Sequence, residues 1–172
     1  MIEVLRLGHR IRRDPRVSTH VALTARALGA SKVYYSGEKD LGLEESINKV
    51  TKSFGGKFKI EYVKNPLKLI KNKKIVHLTV YGSSIDKKIK EIRKFKDILV
   101  VIGGSKVPGE YYKLSTWNIS VTNQPHSEIS SLAIFLDRYF KGKKLDIKFN
   151  GAKIVINPNE RGKTVNRKTF KS

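Results

Sequence analysis

Three short segments hold side chains whose types and spacing could do chemistry. The first is crowded with arginine: Arg6, Arg10, Arg12, Arg13 and Arg16 fall within eleven residues, with His9 and one acid, Asp14. Guanidinium groups grip phosphate bidentately and lysine ammonium groups do not, so this stretch reads as phosphate-facing. A solvated basic loop with one Asp14–arginine pair is the plainer alternative. The second segment is Ile102-Gly103-Gly104-Ser105-Lys106-Val107-Pro108-Gly109-Glu110. Its glycines would let a backbone approach a ligand and expose amides to it. No Gly-Lys-Ser/Thr closes the loop and no GxGxxG occurs, so neither a triphosphate loop nor a dinucleotide fingerprint is supported. The third is Val121-Thr122-Asn123-Gln124-Pro125-His126-Ser127-Glu128. Pro125 suits the first position of a helix and Glu128 its positive end. Capping explains those two, whereas Asn123, Gln124 and Ser127 could read an adenine edge.

The elements around these segments alternate. Apolar runs at 2–7, 32–35, 57–63, 75–81, 98–102 and 118–121 read as strands. Helical spacing predicts helices over 18–28, 43–54, 66–71, 83–95 and 125–140, and a short turn at 110–114. Strands separated by helices imply a mostly parallel α/β sheet flanked by helices. The run 98–102 is continuously apolar, as expected when both sheet faces are covered. All three segments then fall at carboxyl ends of strands, where ligands bind in such sheets. After Phe140 the pattern changes: 145–149 and 152–156 flank Asn150-Gly151, a strong hairpin signal. Residues 157–172 read as a polar, partly disordered tail.

Charge narrows the partners. The 172 residues include 36 Lys and Arg against 15 Asp and Glu, a formal net charge of +21. Residues 141–172 alone contribute ten basic and two acidic side chains. Nucleic acid is the first partner to consider, because phosphate neutralisation and counterion release reward this composition. An anionic membrane surface is the second, although no stretch reaches the roughly 20 apolar residues of a bilayer span. There is no cysteine, and His9, His20, His77 and His126 lack zinc-ligand spacing. The opening MIEVLRLGHR lacks the apolar core of a signal peptide, so a cytoplasmic protein is expected.

GGSKVPG, followed a short distance later by VTNQPHSEISSLAIFLDR, resembles the second and third motifs of the SPOUT methyltransferases. More narrowly, with LRLGHRIRRDPRVSTHVALTARALGA as a first motif, residues 1–140 resemble the archaeal family of tRNA cytidine 2′-O-methyltransferases. That family modifies the cytidine at tRNA position 56, in the TΨC loop. The resemblance implies an α/β sheet whose carboxyl-terminal part forms a deep trefoil knot, which a reading of composition excludes by default. It divides the chain into a catalytic domain, 1–142, and a basic hairpin and tail, 143–172. It implies a homodimer and a methyl donor, S-adenosylmethionine. The donor would be held by Leu78 and Thr79, by Gly103, Gly104, Ser105, Lys106 and Val107, and by Val121, Thr122, Asn123, Gln124, Pro125, His126, Ser127 and Glu128. No metal is expected, since transfer from a sulfonium needs none. By the same resemblance Arg16 is the catalytic candidate, with His20 one helical turn later on the same face. An arginine base conflicts with its very high pKa. Arg16 would therefore fix the ribose or its phosphate, leaving His20 or an RNA phosphate to take the proton. Arg10, Arg12, Arg13, Lys163, Lys168 and Lys171 would hold tRNA. Two other readings stay open: a non-catalytic RNA-binding protein, and a knotted enzyme methylating a base nitrogen or ribosomal RNA.

Overall fold

A computed structural model describes residues 1–70, 73–104 and 106–168. Strands β1 (Ile2–His9), β2 (Lys32–Gly37), β3 (Lys59–Tyr62), β4 (Lys74–Ser84), β5 (Ile98–Gly103) and β6 (Trp117–Ser120) form one parallel sheet. Their order is β3-β2-β1-β5-β4-β6. Helices α1 (Pro15–Ala27), α2 (Leu41–Phe54), α3 (Leu67–Ile70), α4 (Ile85–Ile92), α5 (Gly109–Leu114) and α6 (Glu128–Phe140) connect and cover it.

The two-residue period of a strand sends neighbours to opposite faces, and β5 shows it directly. Ile98, Val100 and Ile102 enter a core with Val21 and Ala25 of α1, Ile47 of α2, Ile92 of α4 and Phe135 of α6. Leu99 and Val101 enter a second core with Leu5, Leu7, Ile75 and Tyr111. Both faces are covered, so every position from Ile98 to Ile102 is apolar and buried. From β1 the chain winds outward through β2 and β3, then continues beyond β5 at β4. The winding therefore reverses between β1 and β5, where crevices form at the strands' carboxyl ends.

Strand β4 is not regular. Leu78 pairs with Ile119, and after a shift Ser83 pairs with the same residue. Residues 79–82 fall in this shift, and a Cβ on Gly82 would lie 2.5 Å from the backbone nitrogen and carbonyl carbon of Ile119. Backbone cannot yield as a side chain tip does. Gly82→Ala is expected to cost about 1–3 kcal/mol, read as a lower midpoint in chemical denaturation; an unchanged midpoint would mean that this contact is loose.

Two expectations are corrected. Helix α6 starts at Glu128, not at Pro125, because the Ser127 hydroxyl caps it by accepting from the Ser130 N–H at 3.2 Å. The hairpin is also displaced: β7 (Ile154–Asn157) pairs antiparallel with β8 (Thr164–Arg167), and 145–149 is not a strand. The Asn150-Gly151 turn exists, with Gly151 at φ +73°, but it docks on the body. The Asn150 carbonyl accepts from Gly56 N–H at 2.9 Å, and Lys153 N–H donates to the Ser53 carbonyl at 2.9 Å. The Arg26 guanidinium stacks 4.3 Å from the Phe149 ring. Tertiary contacts thus take the groups a local hairpin would have paired. The tail read as partly disordered supplies β8 instead. Lys71, the predicted end of the third helix, lies outside the described residues. Among the described residues no helix is long and apolar enough to cross a membrane.

Candidate active site

A cavity of about 290 Å³ opens where β4, β5 and the approach to α6 converge. His77, Leu78, Thr79, Val80 and Tyr81 form one wall, and Ile102, Gly103, Gly104 and Val107 a second. Tyr112 of α5 and His126, Glu128 and Ser131 complete it. The fold brings these residues together because β4 and β5 are sheet neighbours and β6 delivers the chain beside them. At Gly103 an added Cβ would meet Val107 Cγ2 at 2.4 Å, so the loop folds back tightly on itself.

Polar groups on the wall are held in defined states. Asn118 donates through Nδ2 to the Tyr112 carbonyl at 2.9 Å, so its Oδ1 accepts from His77 Nδ1–H, also at 2.9 Å. That fixes the tautomer and leaves His77 Nε2 an acceptor. Burial lowers the His77 pKa from its ordinary value, against the opposing Asn118 bond, and favours the neutral ring. The Tyr112 ring packs edge-on against it at 4.6 Å, and its hydroxyl lies 3.3 Å from Thr79 Oγ1. Among the described residues His77 Nε2 and His126 Nε2 are buried without a hydrogen-bond partner.

Beneath the glycine loop lies an ion pair. Arg6 is 2% exposed, and its NH2 group is 3.6 Å from Glu128 Oε1. Its other terminal nitrogen donates to the Leu7 carbonyl. Burial lowers the Arg6 pKa, and the Glu128 charge opposes that shift. Glu128, a cavity-wall residue, therefore has its carboxylate held from behind.

A family model described as tRNA ribose 2′-O-methyltransferase, aTrm56, matches residues 54–166. A tRNA (cytidine(56)-2′-O)-methyltransferase of Methanocaldococcus jannaschii is 52% identical over 174 residues, covering 97% of each chain. The chain belongs to this family of tRNA ribose 2′-O-methyltransferases. The similarly named protein of Methanobrevibacter smithii is 49% identical over 172 residues, covering 96% of this chain and 95% of its own. The fold is also that of the SpoU methyltransferase AviRb of Streptomyces viridochromogenes, solved with AdoMet, at TM-score 0.59 and 13% identity. The match covers 83% of this chain and 57% of AviRb, so this chain spans little more than half of that protein. The A. aeolicus TrmH/SpoU tRNA-modifying enzyme matches at TM-score 0.57 and 17% identity, over 83% of this chain and 75% of its own.

Of the donor-holding residues expected in a member of the 2′-O-methyltransferase family, Leu78, Thr79, Gly103, Gly104, Val107, His126 and Glu128 border the cavity. Lys106 borders a neighbouring cavity instead, and Ser105 lies outside the described residues. Val121, Thr122, Gln124, Pro125 and Ser127 do not line the cavity. Asn123 acts structurally. Its Nδ2 donates to the carbonyls of Val80 and Gly82, at 2.5 and 3.4 Å, and so ties the β4 loop to the segment after β6. Thr122 Oγ1 accepts from Gln124 N–H at 3.2 Å. Sequence reading missed His77, Val80, Tyr81, Tyr112 and Ser131; the motif match that gave Leu78 and Thr79 did not extend to their neighbours on β4 and gave no signal for residues meeting the cavity from α5 and α6.

The arginine-rich segment is split. Arg6 belongs to the buried face of β1, whereas Arg10, Arg12, Arg13 and Arg16 are exposed. Arg10 Nε donates to Asp14 at 3.0 Å, and this bond lowers the Asp14 pKa. His20 is exposed on α1, and neither Arg16 nor His20 lines the cavity of its own chain. His9 is fully buried between Ser18 and Asp40, at 2.7 and 3.1 Å. Asp40 also caps α2 by accepting from Leu43 N–H at 3.0 Å, and this bond, then His9, lowers its pKa. This serine–histidine–aspartate chain ties the end of β1 to the first turns of α1 and α2.

Proposed function

We propose that this chain transfers a methyl group from S-adenosylmethionine to the ribose 2′-hydroxyl of cytidine 56 in tRNA. One observation carries the reading: the glycine loop and the segment before α6 wall one cavity, in a chain 52% identical over nearly its whole length to a protein of that name. The residues fit the donor. His77 Nε2 offers a buried acceptor, Glu128 offers negative charge to a cationic ligand, and the Gly103–Gly104 backbone leaves room for close approach. When bound, S-adenosylmethionine supplies an electrophilic methyl group on a positively charged sulfonium. Leu78, Thr79, Gly103, Gly104, Val107, His126 and Glu128 would hold it.

The chain's own contribution is positioning, which accounts for much of the rate in such transfers. Arg16 would orient the ribose or its phosphate through its planar fork of donors. His20 would take the proton from the 2′-oxygen, with an RNA phosphate as the alternative acceptor. Because Arg16 and His20 do not reach the cavity of their own chain, we take the enzyme to be a homodimer in which α1 of one protomer faces the partner's cavity. The register shift at residues 79–82 and the close approach of Gly82 to the Ile119 backbone support a knotted carboxyl-terminal half. Residues 143–172 would form a basic extension from the catalytic domain, 1–142, and a tRNA substrate fits a cytoplasmic site of action.

The assay is transfer of labelled methyl to an unmodified tRNA transcript, with the product mapped by nucleoside digestion. 2′-O-methylcytidine at position 56 is expected; a methylated base, or binding without transfer, would overturn the activity. Lys163 and Lys168 are exposed on and beside the β7–β8 hairpin; Lys171 lies outside the described residues. Replacing Lys163 and Lys168 with alanine should weaken tRNA binding and make the salt dependence shallower, by about one unit of slope for each phosphate no longer neutralised. An unchanged slope would take the hairpin off the RNA path.

A further inference from the structure

A second cavity, of about 510 Å³, lies at the carboxyl ends of β1, β2 and β5, where the winding of the sheet reverses. Its volume is within the range of about 300–1,000 Å³ typical of small-ligand sites. Gly104 borders both this cavity and the donor cavity, so occupants of the two would lie on either side of one glycine. The space is held open by construction. Gly8, on the cavity wall, has φ +69°, and a Cβ added there would meet nothing within 4 Å, so no neighbouring side chain fills that space. Gly37 lies so close to β1 that a Cβ would fall 2.3 Å from the His9 carbonyl oxygen. Glu38 N–H donates to that carbonyl at 2.9 Å.

Three charged side chains border the cavity: Arg10, Lys106 and Glu38. Glu38 Oε2 accepts from Ile11 N–H at 2.7 Å, which fixes the carboxylate. Among the described residues its other oxygen, Oε1, accepts no hydrogen bond. A fixed anionic acceptor flanked by two cations matches a nucleotide whose base edge presents an amino group and whose phosphates are anionic. Cytosine offers such a donor at N4, whereas uracil has an acceptor, O4, at the same place.

We propose that this second cavity receives the target nucleotide, that Glu38 Oε1 accepts from the cytosine N4 amino group, and that Arg10 and Lys106 hold its flanking phosphates. The assignment rests on the methyl transfer proposed above and adds how the base is chosen.

The test compares wild type and Glu38→Gln on tRNA transcripts with C56 or U56, alongside calorimetric titration with S-adenosylmethionine. Glutamine keeps the oxygen that accepts from Ile11, so the loop is preserved, and it can donate to uracil O4. The ratio of kcat/KM for C56 over U56 should fall about tenfold or more in the variant, with donor affinity within twofold of wild type. Because the ratio is taken against wild type, any misfolding of the U56 transcript cancels. Lys106→Ala should raise KM for both transcripts alike and leave the ratio unchanged. An unaltered C56/U56 ratio in Glu38→Gln would overturn the base-reading role, and a tenfold loss of donor affinity would make this the donor's cavity instead. Equal KM for Lys106→Ala and wild type would remove the phosphate assignment. A wild-type enzyme that methylates neither transcript sinks the activity itself and this assignment with it.

Discussion

Arg16→Ala should lower turnover on the order of 100-fold while leaving S-adenosylmethionine affinity unchanged. The expectation follows from where Arg16 stands. It occupies the first turn of α1, after Pro15, and is exposed there. That turn is pinned by Ser18, whose hydroxyl lies 2.7 Å from the buried His9 ring at the end of β1. A guanidinium so placed has a fixed origin and a free tip. A guanidinium offers donors and no acceptor for a proton, which leaves orientation as its contribution. Orientation is lost by truncation and only partly restored by a point charge, so Arg16→Lys should fall between alanine and wild type. Donor binding is read by calorimetry and turnover under saturating tRNA; turnover within threefold of wild type would remove Arg16 from the reaction. A mixing experiment tests whether two chains share the site. Combining Arg16→Ala with Glu128→Gln subunits should restore activity that neither has alone, since one site of a mixed dimer would then be intact. No restoration would assign Arg16 and the donor cavity to the same chain.

Much of the fold was legible because its physics is local. The alternation of apolar runs with helical spacing gave the parallel sheet, and the unbroken run 98–102 marked the strand covered on both faces. What misled was local chemistry overruled from a distance. Asn150-Gly151 turns the chain as its type requires, yet Gly56 and Ser53 claim the neighbouring backbone groups, and pairing moves to Ile154–Asn157 and Thr164–Arg167. Pro125 is a fit opening residue for a helix, but a capping hydroxyl at Ser127 sets the start three residues later. At the site, residue type pointed to the glycine loop and the family resemblance to His126 and Glu128, all of which border the cavity, whereas Tyr112 packs on His77 while both bond Asn118. No spacing along the chain encodes that meeting.

Arg6 is the sharpest case, and the second large effect is expected there. Its type placed it with the phosphate-facing arginines; its position did not. Ile2, Val4 and Arg6 share one face of β1, and that face lies under α1 and α6. The strand's period of two was the available signal. Arg6→Met removes a buried charge and leaves Glu128 with its carboxylate unpaired against the glycine loop. Breaking a fully buried pair from one side costs about 3–5 kcal/mol. Glu128 keeps 26% of its side chain exposed and can turn toward water, so the loss should sit lower, at about 2 kcal/mol. That turn also withdraws the carboxylate from the donor cavity, and donor affinity should fall about tenfold or more. The salt dependence of tRNA binding should stay at the wild-type slope, because a buried guanidinium releases no counterion from RNA. Arg10, Arg12 and Arg13 should behave in the opposite way. The double variant Arg6→Met/Glu128→Gln separates packing from charge: stability should recover toward wild type, since no unpaired charge remains, while donor affinity should not. Chemical denaturation, calorimetry and salt-dependent tRNA binding read the three quantities independently. A shallower salt slope with intact donor affinity would return Arg6 to the RNA-facing group.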